Sequence, residues 1–323
     1  MLTLDLICQA QHRLRGLLHR TPLVHSHALS AHLGANVFLK LECLQKTGSF
    51  KPRGAFNKML SLSTEEQSRG VTAVSGGNHA QGVAYAARQL AISAVIAMPA
   101  FTPRNYLDAA RQYGAEIALM PDTRAAFAEA FRLRDQGRVM IHPFDDPLVA
   151  AGQGTVGLEI LEDLPSVRRV YVSIGGGALI TGIAAALKAI KPEVDIIGVE
   201  TRGADAMALS LAENRLVELP AITSIARTLG APQVSEFTFQ HVRQLVKKVT
   251  VVSDAATVQA LFLILERTKY VVEPAAACCL AAAEEDRSQL QPDDDVVLLM
   301  CGGNVSGADL ASYWPRFMNE SNA

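Results

Sequence analysis

A lysine that follows a predicted strand is the first residue in this chain that could carry covalent chemistry. The tract KLECLQKTGSFKPRGAFNK (40–58) ends a strand, turns at Gly48 and Ser49, and reaches Lys51 near a predicted helix start. Burial and a nearby helix N-terminus lower the pKa of an amine, and the neutral amine attacks an aldehyde to form a Schiff base. The alternative is an ordinary exposed lysine, because lysine side chains are rarely buried.

A run of small residues after another predicted strand is typical of an anion site. In VSIGGGALITGIAAALK (172–188) the strand runs into three glycines and an alanine (175–178, here called the phosphate loop) and then into a helix. Backbone N–H groups at a helix N-terminus bind phosphate, and the helix dipole favours its negative charge. No Lys-Ser/Thr pair follows, and Ile180 stands where a dinucleotide loop needs its third glycine, so a mononucleotide-sized phosphate fits better. A tight turn without a ligand is the alternative.

A third strand–turn–helix unit, AVSGGNHAQGVAYAARQL (73–90), places Asn78 and His79 at the predicted start of its helix. Asn is also a favoured helix N-cap, so residues 75–79, here called the Asn loop, have a purely structural explanation when taken alone. Ligands bind at the carboxyl ends of parallel strands, where such turns lie. The three loops together, with LLMCGGNVSG (298–307) near the end of the chain, therefore favour one ligand site.

The elements that position these loops alternate between buried strands and Ala-rich helices. The strand candidates are short β-rich runs, namely VFLKLE (37–42), TAVSGG (72–77), AVIAMP (94–99), EIALMP (116–121), RVYVSIGGG (169–177), DIIGVE (195–200), KKVTVV (247–252) and DVVLLMCGG (295–303). Apolar residues recur at helical spacing between several of them, for example at Ile180, Ile183, Ala184 and Leu187. The alternation predicts an α/β fold with parallel sheets covered by helices on both faces.

Composition and charge argue against several classes of protein. The 323 residues are 49% apolar and 19% charged, which is typical of a globular enzyme-sized chain. The net charge of −2, without a dense basic run, argues against a nucleic-acid partner, and the apolar stretches are too short for a membrane span. The N-terminus lacks signal-peptide features and the five cysteines form no C-x-x-C pair. We therefore expect a cytoplasmic protein with reduced thiols.

In combination, SFKPRGA, SGGNHAQG, GGGALITG, VEPAAA and CGGN resemble the fold-type II pyridoxal phosphate enzymes over nearly the whole chain. Within that group the sequence is similar to the branch of threonine/serine dehydratases (ammonia-lyases) and serine racemases. The resemblance implies a two-lobed fold of the tryptophan synthase β type. Residues 1–49 and 148–323 would form the large cofactor-binding domain, and residues 50–147 would form a small mobile domain.

The resemblance also implies roles for the loop residues. Lys51 would hold pyridoxal 5'-phosphate as a Schiff base with Phe50 packed beside the ring, and Asn78 would donate to the 3′-oxygen. The backbone of the phosphate loop would bind the phosphate through Gly175, Gly176, Gly177 and Ala178. Cys301 would lie beside the pyridine nitrogen, where a neutral thiol leaves that nitrogen unprotonated and favours prompt loss of a leaving group. A small hydrophobe at a strand end also explains Cys301.

Substrate and cation sites follow from the same resemblance. The substrate carboxylate would be held by the Asn loop, through Ser75, Gly77, Asn78 and His79, although Ser75 and His79 could serve only the loop. A cation site is implied at the carboxylate of Glu200 and the carbonyl of Ala204, with a third ligand two residues later. That residue is Ala206, so we expect no tightly bound divalent metal, and a monovalent cation is the alternative.

The implied reaction is β-elimination, which converts L-threonine, L-serine or a bulkier 3-hydroxy amino acid such as phenylserine to a 2-oxo acid and ammonia. In SIARTLG (224–230), Arg227 and Thr228 replace an Asp–Gly pair common in the dehydratases, which leaves room for a bulkier or charged β-substituent. The alternatives are a serine racemase-type isomerase, a dehydratase of a hydroxyectoine-derived or hydroxyaspartate-like substrate, and a non-catalytic pyridoxal phosphate-binding protein.

Gly76 argues against the racemase. Family racemases carry a serine at this position, two residues before the Asn, as the acid on the second face of the substrate. Gly76 has no side chain, and Ser75 is a poor substitute because adjacent residues in extended chain point in different directions.

A homodimer is common among relatives. The chain ends about twenty residues after CGGN, so we expect no C-terminal regulatory domain and no feedback by an amino acid.

Overall fold

Two β-sheets organise residues 1–318, the part of the chain that the computed structural model describes. The strands are Leu23–His25 (β1), Asn36–Lys40 (β2), Val71–Val74 (β3), Ala94–Pro99 (β4), Glu116–Met120 (β5), Val139–Met140 (β6), Arg169–Ser173 (β7), Asp195–Thr201 (β8), Lys248–Val252 (β9) and Asp295–Leu299 (β10). A six-stranded sheet has the order β1-β2-β10-β7-β8-β9, and a four-stranded sheet has the order β5-β4-β3-β6.

Helices connect the strands and flank both sheets. They are Leu4–Leu14 (α1), His27–Leu33 (α2), Lys51–Leu60 (α3), Thr64–Arg69 (α4), Asn78–Gln89 (α5), Arg104–Gln112 (α6), Thr123–Asp135 (α7), Pro147–Asp163 (α8), Ala178–Ile190 (α9), Ala206–Glu213 (α10), Glu236–Leu245 (α11), Asp254–Thr268 (α12), Pro274–Glu285 (α13) and Gly307–Phe317 (α14). The apolar residues that predict α9, namely Ile180, Ile183, Ala184 and Leu187, are fully buried, and the rest of the helix from Ala178 to Leu187 is buried as well.

The predicted α/β fold with parallel sheets flanked by helices is confirmed, with three differences. Each predicted strand is present, but several end earlier, and β7 stops at Ser173 because the glycines after it form a turn. The short strands β1 and β6 were not predicted. β1 is also antiparallel, with Leu23 opposite Lys40, so the larger sheet has one antiparallel edge.

The topology brings the three loops of interest to the carboxyl ends of parallel strands. The Asn loop follows β3, the phosphate loop follows β7, and CGGN follows β10. Every strand of the smaller sheet lies between residues 71 and 140, inside the predicted small domain, whereas the exact domain boundaries stay a prediction. No helix within residues 1–318 combines the length and apolar character needed to cross a membrane.

Candidate active site

A cavity of about 780 Å³ lies where the ends of the two sheets face each other. Its walls come from both sheets and include the residues singled out in all three loops. Among the residues that line it are Lys51, Asn78, Gly176, Thr228, Glu273 and Cys301.

Lys51 is the first residue of α3, as the sequence predicted. Its Nζ lies 5.0 Å from the centre of the Phe50 ring and donates to the carbonyl of Pro143 at 3.3 Å. Burial lowers the pKa of Lys51 to about 8, although the carboxyl group of Glu273 acts in the opposite direction. A larger share of this amine is therefore neutral near pH 8 than for an exposed lysine.

A buried ionic network, which the sequence did not reveal, anchors α3 two residues beyond Lys51. Arg53 donates to Glu42 at 2.8 Å and to Glu159 at 2.6 Å, and Lys40 donates to the second oxygen of Glu159 at 2.6 Å. The two cations balance the two carboxylates, so the desolvation cost of each charge is offset by its partners. The network joins β2, α3 and α8 and fixes the helix that carries Lys51.

The phosphate loop has the geometry of an anion site. Gly177 has φ +99°, which favours glycine, and α9 begins at the next residue. A Cβ on Gly176 would lie 2.0 Å from Phe144, so only glycine fits there. The N–H groups of residues 175–178 make no hydrogen bond within the described part of the chain. Free N–H groups at a helix N-terminus fit a phosphate.

Cys301 is the second residue after β10 and is only 2% exposed. Burial raises the pKa of its thiol well above the ordinary value, so the group stays neutral. The hydroxyl of Ser173, at the end of β7, donates to its sulfur at 3.4 Å. The structure thus presents a neutral thiol to the cavity, with a serine partner that the sequence did not reveal.

The side chains of the Asn loop are engaged within the protein. Asn78 is 4% exposed and donates from Nδ2 to Glu273 at 2.8 Å. Ser75 accepts the N–H of Gly77 at 3.0 Å, which supports the loop-forming alternative for Ser75 while leaving its own hydrogen free. The backbone N–H groups of Asn78 and His79, in the first turn of α5, are positioned to receive a carboxylate.

The side chain of His79 is engaged within the protein, which supports the alternative that it serves only the loop. Its Nε2 lies 2.8 Å from the carbonyl of Ile141, so this nitrogen carries the hydrogen and Nδ1 holds a lone pair. Burial lowers the pKa of His79 to about 3, which keeps the ring neutral. A neutral ring with a lone pair cannot donate to a carboxylate, so only the backbone of His79 could serve the substrate.

Glu200, one of the two predicted cation ligands, has another structural role, whereas the cation site itself stays a prediction. The carboxylate of Glu200 is 1% exposed and accepts the N–H groups of Met207 at 3.0 Å and Ala208 at 2.8 Å, in the first turn of α10. Burial raises the pKa of Glu200 to about 8. Ala206 begins α10 and has no polar side-chain atom to offer a cation. Within residues 1–318, His, Cys, Asp and Glu side chains form no group of three or more able to hold a metal ion.

The residues of the cavity fit pyridoxal phosphate. A partly neutral lysine can bind the aldehyde, unpaired N–H groups at a helix N-terminus can bind the phosphate, and a neutral thiol can lie beside a pyridine nitrogen. These features together define a pyridoxal phosphate enzyme of fold type II.

Comparison with known proteins agrees with this geometry. The family described as pyridoxal-phosphate dependent enzymes matches residues 14–302. The chain is 43% identical over 277 residues to an L-threonine ammonia-lyase of Thermotoga maritima, covering 85% of this chain and 69% of that protein. Maize serine racemase superposes with a TM-score of 0.92 at 36% identity, covering 99% of both chains. The threonine deaminase of T.th. superposes with a TM-score of 0.89 at 40% identity, covering 94% of this chain and 99% of that chain.

The chain therefore belongs to the pyridoxal-phosphate dependent enzyme family. The predicted family and the predicted cofactor are both confirmed. The tracts VEPAAA and CGGN contain Glu273 and Asn304, for which the sequence predicts no role. Both residues contact Asn78 directly. Only their presence in those two tracts could have drawn attention to them.

Proposed function

We propose that this protein is a pyridoxal phosphate-dependent ammonia-lyase that dehydrates a β-hydroxy amino acid, such as L-threonine or L-serine, to a 2-oxo acid and ammonia. The observation that carries the proposal is the shared cavity, which combines Lys51 with the unpaired N–H groups of the phosphate loop and the neutral thiol of Cys301. The names of the threonine ammonia-lyase and the threonine deaminase among its relatives support the same reaction.

Each residue of the cavity has its own role in this proposed reaction. Pyridoxal phosphate, when bound, supplies a conjugated ring that accepts the electron pair of the Cα–H bond. Lys51 removes the α-proton, and its lowered pKa suits this role near neutral pH. Phe50 would pack beside the ring of the bound cofactor, and the phosphate loop would hold its phosphate. The neutral Cys301 would leave the pyridine nitrogen unprotonated, which would favour prompt loss of the β-group.

The elimination balances without an oxidant or reductant. The Cα–H and Cβ–O bonds break, the Cα–Cβ double bond forms, and the hydroxyl leaves with a proton as water. The enamine that remains takes up water after release and yields the 2-oxo acid and ammonia. The N–H groups of Asn78 and His79, with the Ser75 hydroxyl, hold the substrate carboxylate in this proposal.

The substrate class extends beyond threonine and serine. Arg227, at the wall of the cavity, makes no ion pair within residues 1–318. This unpaired cation supports an anionic β-substituent of the hydroxyaspartate type, and a bulkier substituent of the phenylserine type is a second candidate. A racemase has less support, because Gly76 offers no hydroxyl.

The test is a panel of β-hydroxy amino acids incubated with the cofactor-loaded protein, reading ammonia and 2-oxo acid together. We expect equal amounts of both products, and none from a Lys51→Ala variant loaded with cofactor in the same way. Formation of the α-inverted amino acid without ammonia would instead identify an isomerase. Cofactor binding without any product across the panel would identify a binding protein.

The two sheets also suggest how the lobes of the protein are arranged. We infer that residues 50–147 move as a small lobe against residues 1–49 and 148–323, which is supported by their separate four-stranded sheet. We also infer a cytoplasmic homodimer that acts in amino-acid catabolism. Limited proteolysis with and without substrate tests the lobe movement, and sedimentation of the loaded protein tests the assembly.

A further inference from the structure

Glu273 is a buried acid that the proposed mechanism does not use. It lies directly before α13, lines the cavity, and is 2% exposed. No Lys, Arg or His within residues 1–318 forms an ion pair with it. A buried carboxylate without a counter-charge carries a desolvation cost, so its contacts should explain why it is there.

Two donors from different loops converge on one oxygen of Glu273. Oε1 accepts from Nδ2 of Asn78 at 2.8 Å and from the hydroxyl of Thr228 at 3.1 Å. Oε2 is buried and has no partner in the described part of the chain. Glu273 itself is held by its backbone N–H, which donates to the carbonyl of Gly302 at 3.0 Å. The acid thus joins the Asn loop to the loop that contains Thr228.

The opposite side of the Asn78 amide is held by Asn304. Nδ2 of Asn304 donates to the carbonyl of Thr47 at 2.8 Å, and a carbonyl can only accept, so the orientation of the Asn304 amide is fixed. The same nitrogen donates to Oδ1 of Asn78 at 2.8 Å. Nδ2 of Asn78 must therefore face Glu273, whose carboxylate accepts. One of its two hydrogens bonds Glu273, and the other remains available.

We propose that Glu273 is a positioning residue that holds the Asn78 amide so that its remaining N–H points to the 3′-oxygen of the cofactor. The same oxygen of Glu273 holds Thr228 of the substrate-facing loop. The residue proposed to bind the cofactor and the loop proposed to face the substrate thus share one hydrogen-bond acceptor. This inference rests on the proposed function for the role of Asn78 but extends it to a residue outside the loops.

The arrangement tolerates a change in the charge of Glu273. Burial raises its pKa to about 7, while the hydrogen bonds from Thr228 and Asn78 act in the opposite direction. A proton on the carboxyl can reside on the unpartnered Oε2 and leave Oε1 free to accept. Glutamine keeps an acceptor at the same place without the charge, whereas alanine removes the acceptor.

The experiment compares Glu273→Ala with Glu273→Gln by titrating the cofactor-free proteins with pyridoxal phosphate and following absorbance. We expect Glu273→Ala to weaken cofactor binding about tenfold or more, and Glu273→Gln to stay within about threefold of wild type. In the Asn78→Ala background, Glu273→Ala should have almost no further effect, because its action passes through Asn78. Additive losses in this double-mutant cycle, or equal losses in Glu273→Ala and Glu273→Gln, would overturn the proposal.

Thr228→Val is the matched control, since it removes the other donor to Oε1. It should leave cofactor affinity within about twofold and raise the KM of the substrate. A loss of cofactor affinity equal to that of Glu273→Ala would overturn the proposal, because it would show that the effect of Glu273 passes through Thr228 rather than through Asn78. No substrate enters the cofactor titration, so a protein without lyase activity would refute the proposed function and leave this test intact.

A second pair of variants keeps the proposal testable if Glu273→Ala does not fold. Asn78→Asp places two carboxylates together and should lower the melting temperature, and adding Glu273→Gln should restore it because the glutamine amide can donate to Asp. An aspartate cannot donate to the cofactor oxygen, so cofactor affinity should stay low in the double variant. Recovery of affinity along with stability would contradict a cofactor-directed role.

Discussion

The hydroxyl oxygen of Thr102 lies 2.7 Å from the point where a side chain on Gly76 would begin. Thr102 sits in the turn between β4 and α6 and is 6% exposed, and its Oγ1 has no hydrogen-bond partner within the described residues. A Cβ at residue 76 would be too close to this oxygen. Thr102 therefore fills the space that a side chain on residue 76 would enter, and glycine is the residue that fits beside it.

We predict elimination with little racemisation. Inversion needs an acid on the face opposite Lys51, and Gly76 supplies none. In deuterated water with an L-substrate, the α-inverted isomer should form at well under a tenth of the rate of 2-oxo acid release, a tenfold margin being about 1.4 kcal/mol in barrier. Comparable rates would contradict this prediction. Loss of that inversion in Thr102→Val would then identify the Thr102 hydroxyl as the acid.

The contact also changes what a serine at residue 76 should do. A serine at residue 76 would supply the missing hydroxyl, but in the structure its Cβ would lie too close to the hydroxyl oxygen of Thr102. We expect Gly76→Ser to lower stability by about 1–3 kcal/mol and to gain little inversion by itself. Combining it with Thr102→Ala should restore stability and raise inversion. Thermal melts and chiral product analysis of the single and double variants test this, and Thr102→Ala alone is the control.

Lys51 should be the residue that becomes covalently labelled. The purified holoenzyme should absorb near the edge of the visible range, and borohydride should fix the cofactor irreversibly. Peptide mapping should then find the label at Lys51, because this amine lines the cavity and burial lowers its pKa to about 8. The nearby Lys46 and Lys58 serve as internal controls. A label on any lysine other than Lys51 would refute the assignment.

The loops were predictable from sequence because each is local. Lys51 at the start of α3 and Asn78 at the start of α5 follow from short stretches in which a strand, small residues and an apolar helix succeed one another. The strands β1 and β6 were missed because two or three residues carry no period that could be recognised.

The contacts that complete the site were not predictable in this way. Asn78 and Glu273 are 195 residues apart, and only the packing of the two sheets brings them to 2.8 Å. The same holds for the contact between Thr102 and Gly76, and for the hydrogen bond from His79 to the carbonyl of Ile141. Resemblance could name the residues of the site, but which partner each side chain takes depends on the tertiary structure.

Chelators should leave the activity nearly intact. The carboxylate of Glu200 already accepts two N–H groups from α10, and Ala206 offers no side-chain ligand. We expect EDTA to change kcat/KM by less than about twofold, whereas replacing potassium by a large organic cation should lower it. The variant Ala206→Asp, which adds a carboxylate, should become sensitive to chelation. Strong inhibition of wild type by EDTA, reversed by magnesium, would count against the prediction.

Cofactor capture should depend on pH through Lys51. The neutral amine reacts, and burial lowers the pKa of Lys51 to about 8, so the reactive fraction rises with pH and levels off above that value. Between pH 7 and pH 9 the rate of capture should increase about tenfold, and it should then change little. Stopped-flow absorbance of the cofactor-free protein measures this rate. A rate that keeps rising beyond pH 10 would indicate an ordinary, solvated lysine.

The loop that carries Arg227 and Thr228 should set the preference for the β-substituent. These residues begin a short 3-10 turn, and Thr228 Cγ2 lies 3.4 Å from the position of a Cβ on Gly77, which places the turn beside the Asn loop. Arg227 is exposed at the wall of the cavity and free to meet an anionic substituent. Arg227→Ala should therefore lower kcat/KM for a hydroxyaspartate-type substrate about tenfold and leave L-threonine within about threefold. Arg227→Lys, which keeps the charge, should lose less, and the ratio of the two substrates is the quantity to compare. An equal loss for both substrates would mean that Arg227 acts on the fold of the loop rather than on the β-substituent.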